Sequence, residues 1–145
     1  MAFNALKSLL PNRPVPTRIW RGPFRGARIV MNPRDSLRKI LGFYEHELNP
    51  WLEKAFGRVT RVLDVGANDG YFTFGCAAAF RRMGKTAEII GFEPLEQHIH
   101  ELRNSIAAQR QTGIRFEIIQ ALVGRSVGEG MTTLDALPMS DRRNT

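Results

Sequence analysis

Residues 62–70 read VLDVGANDG, a short apolar run that passes directly into a turn built from glycine and short polar side chains. The β-branched run Val62–Val65 predicts a buried strand. Asn68 or Asp69 can cap a helix that runs to Met83. This stretch therefore predicts a strand, a tight turn and a helix in succession, which is the local context that a nucleotide-binding turn requires.

Two further strands follow in the sequence, at Ala87–Phe92 (AEIIGF) and Ile114–Ile119 (IRFEII). Between them, Pro94 suits a first helical turn, and Gly113 ends the segment. Apolar residues recur there every three or four positions, which indicates an amphipathic helix: Leu95, Ile99, Leu102 and Ile106. Strands and helices that alternate with short connections predict an α/β fold with parallel strands. We expect the N-terminal half of a Rossmann-like doubly wound parallel sheet, in the strand order 3-2-1.

The net charge of the 145-residue chain is +7, from 21 lysines and arginines against 14 carboxylates. Residues 1–60 carry the whole excess, with eleven basic and four acidic side chains, and residues 61–145 are neutral. An arginine-rich solvated surface explains this pattern, and an anionic substrate or membrane is the open alternative. A basic stretch with aromatic residues lies at Arg18–Arg28. It carries no signature of an RNA-binding module, so we expect no nucleic-acid partner.

The chain length suits one domain, divided into a basic N-terminal extension (residues 1–57), a partial α/β domain (58–138) and a polar tail (139–145). No signal peptide or membrane span is visible, and Cys76 is the single cysteine. An internal disulfide is therefore impossible, and we expect a cytoplasmic protein.

The N-terminal extension predicts a hairpin, formed by Arg18–Trp20 and Ala27–Met31 around a Gly-Pro-Phe-Arg-Gly turn. A short helix follows, from Asp35 or Ser36 to Leu41. Residues 45–56 predict another helix, which Pro50 interrupts or restarts and Gly57 ends. We expect the two tryptophans, Trp20 and Trp51, to anchor this extension against the core.

The turn after the first strand carries the strongest functional signal. Gly66 allows a sharp turn, Gly70 allows close packing of the next helix, and Asn68 tolerates left-handed backbone. Residues 62–80 contain no lysine or arginine, while Asp64 and Asp69 flank the turn. Two carboxylates would repel a pyrophosphate, but they suit a ligand with an ammonium and a sulfonium, which describes S-adenosylmethionine.

The ends of the second and third strands complete the predicted cofactor site. Glu93, 23 residues beyond Gly70, is placed to accept both hydroxyls of an adenosine ribose. Gln120 and Ala121 lie where an adenine edge could be met. We expect no metal site, because His98 and the histidine two residues beyond it diverge on a helix.

These motifs, DVGANDG, then FEP, then IIQALVG and TTLDAL, resemble the FkbM-like group of class I S-adenosylmethionine-dependent methyltransferases over residues 40–138. The resemblance implies that Asp64, Gly66, Asn68, Gly70 and Glu93 bind the cofactor, and that Glu45 lines the site. It also implies O-methyl transfer to a small-molecule or glycan acceptor. Such sheets usually have seven strands and three are placed here, so we expect a fragment truncated at its C-terminus. No general base is assigned.

Two alternatives remain open. The chain could be a non-catalytic, truncated module whose sheet is completed by a partner or a missing segment. It could also be another nucleotide-binding Rossmann protein, such as a dehydrogenase, although the acidic turn argues against that.

Overall fold

The computed structural model describes residues 7–109, 113–125 and 127–128 and has an α/β architecture. Two strands, β1 (Val15–Arg18) and β2 (Arg28–Met31), form an antiparallel pair. Three strands form a parallel sheet: β3 (Arg61–Val65), β4 (Ala87–Phe92) and β5 (Ile114–Ile119). The helices are α1 (Leu37–Ile40), α2 (Asn49–Arg58), α3 (Tyr71–Arg82) and α4 (Glu96–Ala107), and a 3-10 turn (His46–Leu48) precedes α2.

The parallel sheet has β4 at its centre, with Ile89 opposite Val62 of β3 on one side and opposite Phe116 of β5 on the other. The predicted strand order 3-2-1 needs correction, because it numbers these strands as the first three of the chain. Two strands precede them and pair only with each other among the described residues, so the order is β3-β4-β5 when the described strands are numbered along the chain. The predicted α/β class and parallel pairing are confirmed.

The core lies where α3 and α4 pack against the sheet and against the antiparallel pair. Helix α3 has a nearly all-round apolar sequence, which is typical of a helix buried in a core. Gly75 of α3 contacts the ring of Phe24, which leaves no room for a larger side chain at position 75. On α4, the buried Ser105 hydroxyl accepts a hydrogen bond of 2.9 Å from the amide of Val30 in β2. The N-terminal extension is therefore fixed to both helices.

Several predictions for the extension need correction. The hairpin forms, but its first strand begins at Val15 and ends before Trp20. Trp20 and Trp51 are each 66% exposed, so neither anchors the extension, and Phe24 occupies that place instead. Gly57 lies inside α2 rather than at its end. One glycine lowers helix stability by about 1 kcal/mol, which the burial of neighbouring apolar side chains offsets.

The strand β3 was predicted to be buried, but Leu63 and Val65 are each 61% exposed. They lie on an edge strand, and burial alternates along it, because the described helices cover one face of the sheet. The helix predicted to include Pro94 begins only at Glu96. The segment TTLDAL and the polar tail at 139–145 lie outside the described residues. Among the described residues, no helix is long and apolar enough to span a membrane.

Candidate functional site

The turn between β3 and α3 uses left-handed backbone at three positions. Gly66 has φ 79°, Asn68 has φ 50° and Gly70 has φ 84°. A side chain at Gly70 would collide with the ring of Phe74 and, at 2.7 Å, with a methyl group of Leu102. Gly66 faces open space, so only its backbone conformation requires glycine. The predicted roles of these positions in the backbone match this geometry.

The amide groups of this turn donate hydrogen bonds to other groups of the protein. Those of Gly66 and Ala67 donate to the carbonyl of Phe92 at 2.9 and 3.0 Å. The amide of Asn68 donates to Oε2 of Glu93 at 2.8 Å, and that of Gly70 donates to the carbonyl of Ala67 at 2.8 Å. The turn is thereby bound to the end of β4, and these four amides are not free for an anionic ligand.

Glu93 is the buried acid of the site, with 4% of its surface exposed. Its Oε1 accepts the amide of Leu95 at 3.0 Å and lies 3.4 Å from Nδ1 of His98. Burial alone would raise the pKa of Glu93, but His98 and the amides of Leu95 and Asn68 outweigh it, so this pKa is lowered. The carboxylate in turn raises the pKa of His98 against the effect of burial. The two side chains form an ion pair when His98 is protonated.

The amino end of α3 holds the two other predicted acids. Oδ2 of Asp64 accepts a hydrogen bond of 2.6 Å from the Thr73 hydroxyl, and burial raises the pKa of Asp64. Asp69 accepts the amide of Tyr71 on Oδ1 at 3.1 Å. Its Oδ2 lies 2.6 Å from Nζ of Lys39, which comes from α1. Both carboxylates therefore occupy the helix end where an external anion would otherwise bind.

Lys39 and His98 are the two site residues that sequence reasoning missed. Lys39 lies 30 positions before Asp69, and no local pattern indicates that the two meet. The spacing of the histidines bears only on metal binding, but the place of His98 in the first turn of the helix after Glu93 could have indicated the contact. Lys39 Nζ also lies 5.1 Å from the ring centre of Tyr44 and 5.7 Å from that of Tyr71.

A cavity of about 320 Å³ opens at the carboxyl ends of all three parallel strands. Four of the predicted residues line it: Gly66, Asn68, Glu93 and Ala121. Its other walls are mostly apolar, and they comprise Val65, Phe92, Pro94, Leu95, His98, Leu122 and Val123.

Four predicted residues do not line this cavity. Asp64, Asp69 and Gly70 lie outside the cavity wall and make the contacts described above. Gln120 is exposed at the end of β5, and its side-chain nitrogen lies 3.5 Å from the carbonyl of Pro94. Glu45 is also outside the cavity wall, exposed and left-handed at φ 49°.

Taken together, the fold and the site define an α/β protein with a ligand-sized cavity at the carboxyl edge of a parallel sheet, the edge at which open α/β sheets bind ligands. Among the described residues, no group of three or more His, Cys, Asp or Glu side chains is arranged to hold a metal ion. Comparison of the chain with protein-family models, with curated proteins and with solved structures finds no match.

Proposed function

We propose that this protein binds S-adenosylmethionine in the cavity at the carboxyl edge of its sheet and acts as an FkbM-like methyltransferase with a Rossmann-like fold. One observation carries the proposal: the chain's own carboxylates, Asp64 and Asp69, fill the amino end of α3. A helix end whose positive dipole is already met by carboxylates of the chain has little attraction left for a phosphorylated ligand, which favours a ligand without phosphate in the neighbouring cavity.

The same observation separates this proposal from a dinucleotide-binding enzyme. A pyrophosphate is held by free amides at the start of the helix that follows the first strand. Here the amides of Gly66, Ala67 and Asn68 are already bonded to Phe92 and Glu93. Lys39 neutralises one of the carboxylates, but its ammonium is held by Asp69 rather than directed to the cavity.

The size and the lining of the cavity support the proposal. Its volume of about 320 Å³ is at the lower end of ligand pockets, roughly 300–1,000 Å³. The apolar walls Phe92, Leu95 and Leu122 suit an adenine ring. Among the described residues, Oε2 of Glu93 accepts a single hydrogen bond, from the amide of Asn68, so it keeps one acceptor position for a ribose hydroxyl. Ala121 leaves space for the adenine edge.

S-adenosylmethionine, when bound, would supply an electrophilic methyl group: the bond from methyl to sulfur breaks as the bond to the acceptor oxygen forms, S-adenosylhomocysteine leaves, and the hydroxyl proton passes to a base. The residues of this chain bind and orient the cofactor, which is the main protein contribution to such a displacement. The proposal of a small-molecule or glycan acceptor rests on the resemblance of the motifs to the FkbM-like group.

Calorimetric titration with S-adenosylmethionine, run beside NAD, tests the proposal. We expect saturable heat with S-adenosylmethionine only. Ala121→Phe fills the cavity from the β5 side and leaves the sequence of the turn unchanged, so it should abolish that heat, whereas Ala108→Phe on the exposed end of α4 should not change it. No heat at millimolar S-adenosylmethionine from a cooperatively folding sample, or tighter binding of NAD, would refute the proposal.

The exposed side of β3 favours a second candidate function. The protein would be a binding module, and a strand or helix of a partner would complete its sheet. Leu63 and Val65, each 61% exposed, present apolar surface on an edge strand, where further pairing is possible. Light scattering of the full chain tests this. Self-association or partner capture that Leu63→Lys abolishes would support it, and a monomer that methylates an acceptor unaided would exclude it.

A further inference from the structure

A second cavity, of about 1060 Å³, lies at the opposite edge of the parallel sheet, where Lys85 and Thr86 precede β4 and Gly113 precedes β5. We call it the basic cleft. Six cationic side chains line it, with no carboxylate among the lining residues: Arg18, Arg25, Arg28, Arg81, Arg82 and Lys85. The N-terminal extension supplies three of them, and α3 with its following turn supplies the others.

The charges in the basic cleft are close together. Arg18 stands directly opposite Arg28 across the antiparallel pair, an arrangement that destabilises a sheet. Arg28 also lowers the pKa of Arg81, and Arg25 lowers that of Arg82, in each case after the larger effect of burial. Within the described part of the chain, no ion pair engages any of these side chains.

Some of these cations have structural roles and others do not. Arg82 donates to the carbonyls of Arg25 and Pro23, Arg81 to the side chain of Gln109, and Lys85 to two carbonyls at the end of α2. By contrast, the exposed guanidinium groups of Arg18, Arg25 and Arg28 make no hydrogen bond to any described residue. These three side chains can therefore reach a ligand, and two of them, Arg18 and Arg28, lie side by side despite their like charge.

Trp20 adds an aromatic surface to this cluster. It lines the basic cleft, and 66% of its surface is exposed. Its backbone is fixed by a hydrogen bond of 2.8 Å from its amide to the carbonyl of Ile40, so the position of the residue does not depend on burial of the indole. An exposed indole among unpaired arginines combines the two elements that bind bases and phosphates.

We infer that the basic cleft binds single-stranded nucleic acid, with arginines contacting the phosphates and Trp20 stacking on a base. The sequence alone led us to expect no nucleic acid, because it does not show that Arg81, Arg82 and Lys85 join the basic stretch. A flexible single strand can follow a concave cleft, whereas a duplex, which is stiff over roughly 150 base pairs, cannot bend into it. An anionic bilayer presents a broad surface to which a concave site is poorly matched.

Fluorescence anisotropy of a labelled 12-nucleotide single-stranded RNA tests this with the full 145-residue chain. Three phosphate contacts predict that log Kd rises with log salt at a slope of about 2. Arg18→Gln/Arg28→Gln should lower this slope to about 0.7 and weaken binding at least tenfold at 100 mM salt. The matched control, Arg38→Gln/Arg103→Gln, removes the same charge from exposed positions outside the cleft and should weaken binding much less.

Thermal stability separates a binding role from a structural one. Because Arg18 and Arg28 repel each other, their replacement by glutamine should leave Tm equal or raise it while RNA affinity falls. Trp20→Leu keeps an exposed apolar side chain but removes stacking, which should cost roughly 5- to 150-fold in affinity. A lower Tm together with unchanged affinity in the double arginine variant would overturn the inference.

Two further arms of the experiment use a 12-base-pair RNA duplex and vesicles that contain phosphatidylserine. Binding of vesicles without binding of RNA, equal affinity for duplex and single strand, or no RNA binding at 50 mM salt would each overturn the inference. It does not depend on the proposed cofactor, because the two cavities lie at opposite edges of the sheet.

Discussion

Nζ of Lys39 lies 2.6 Å from Oδ2 of Asp69, and this ion pair joins the N-terminal extension to the amino end of α3. The two side chains are only 19% and 17% exposed, so water screens their interaction weakly. The acid that flanks the turn between β3 and α3 is thus held by a residue from another part of the chain. The extension is part of the architecture of the site.

Replacement of the cation in this pair should destabilise the fold. In Lys39→Met, Asp69 keeps its bond to the Tyr71 amide but loses a charged hydrogen bond, which is worth about 1.5–3 kcal/mol. Urea unfolding should show a loss of that order. Lys39→Met/Asp69→Asn should lose less than the two single variants combined, and strictly additive losses would show that the pair contributes nothing.

The pair of Glu93 and His98 should give the protein a stability maximum on the acid side of neutrality. The lowered pKa of Glu93 means that its contribution is present above the ordinary value of 4.5 and is lost as pH falls through the folded value. The raised pKa of His98 means that its contribution is present below 6.5 and is lost as pH rises through the folded value.

Melting temperatures between pH 4 and pH 9 test this relationship. The wild type should be most stable between about pH 4.5 and 6.5, and the decline above this range should be absent in His98→Gln. The matched control is His100→Gln, which replaces an exposed histidine two residues away. It should keep the decline in melting temperature above this range. A decline of equal size in all three proteins would assign it to other groups.

The two glycines of the turn should differ in their tolerance of alanine. Gly66→Ala introduces only left-handed strain, about 1–2 kcal/mol, because no atom lies near the added methyl group. Gly70→Ala adds a collision with Phe74 and Leu102, so its loss should be larger by about 1–3 kcal/mol. Guanidinium unfolding of both variants measures the difference, and equal losses would contradict the packing role of Gly70.

The helix α2 should be held to the core by Phe56 and not by Trp51. Phe56 is 3% exposed and contacts the rings of Phe24 and Phe80, so Phe56→Ala should cost about 3–5 kcal/mol. Trp51, 66% exposed, should change stability by no more than about 0.5 kcal/mol when replaced by alanine. Chemical denaturation of the two variants compares them directly, and a larger loss at Trp51 would contradict this arrangement.

Local patterns predicted the regular part of the fold well. The strands Ala87–Phe92 and Ile114–Ile119 have the predicted bounds, and left-handed backbone occurs at Asn68 as expected. These features depend on neighbouring residues: apolar β-branched runs favour strands, and glycine or asparagine accepts positive φ.

Burial was predicted less well, because it depends on what covers each element. Val62–Val65 has the composition of a buried strand, yet it lies at a sheet edge with one face open. The two tryptophans are apolar enough for a core, but Phe24 occupies the core position against α3 instead. Its ring fits there because residue 75 is a glycine and has no side chain.

The sequence by itself determined the parallel α/β unit, the glycine-containing turn and the acids around it, because each of these follows from residues close together in the chain. The tertiary structure decided which distant partners those acids have: Lys39 for Asp69, and the amide of Asn68 for Glu93. It also decided that arginines from the extension and from α3 share one cleft. Contacts between distant segments depend on how the elements pack, and no local pattern encodes that packing.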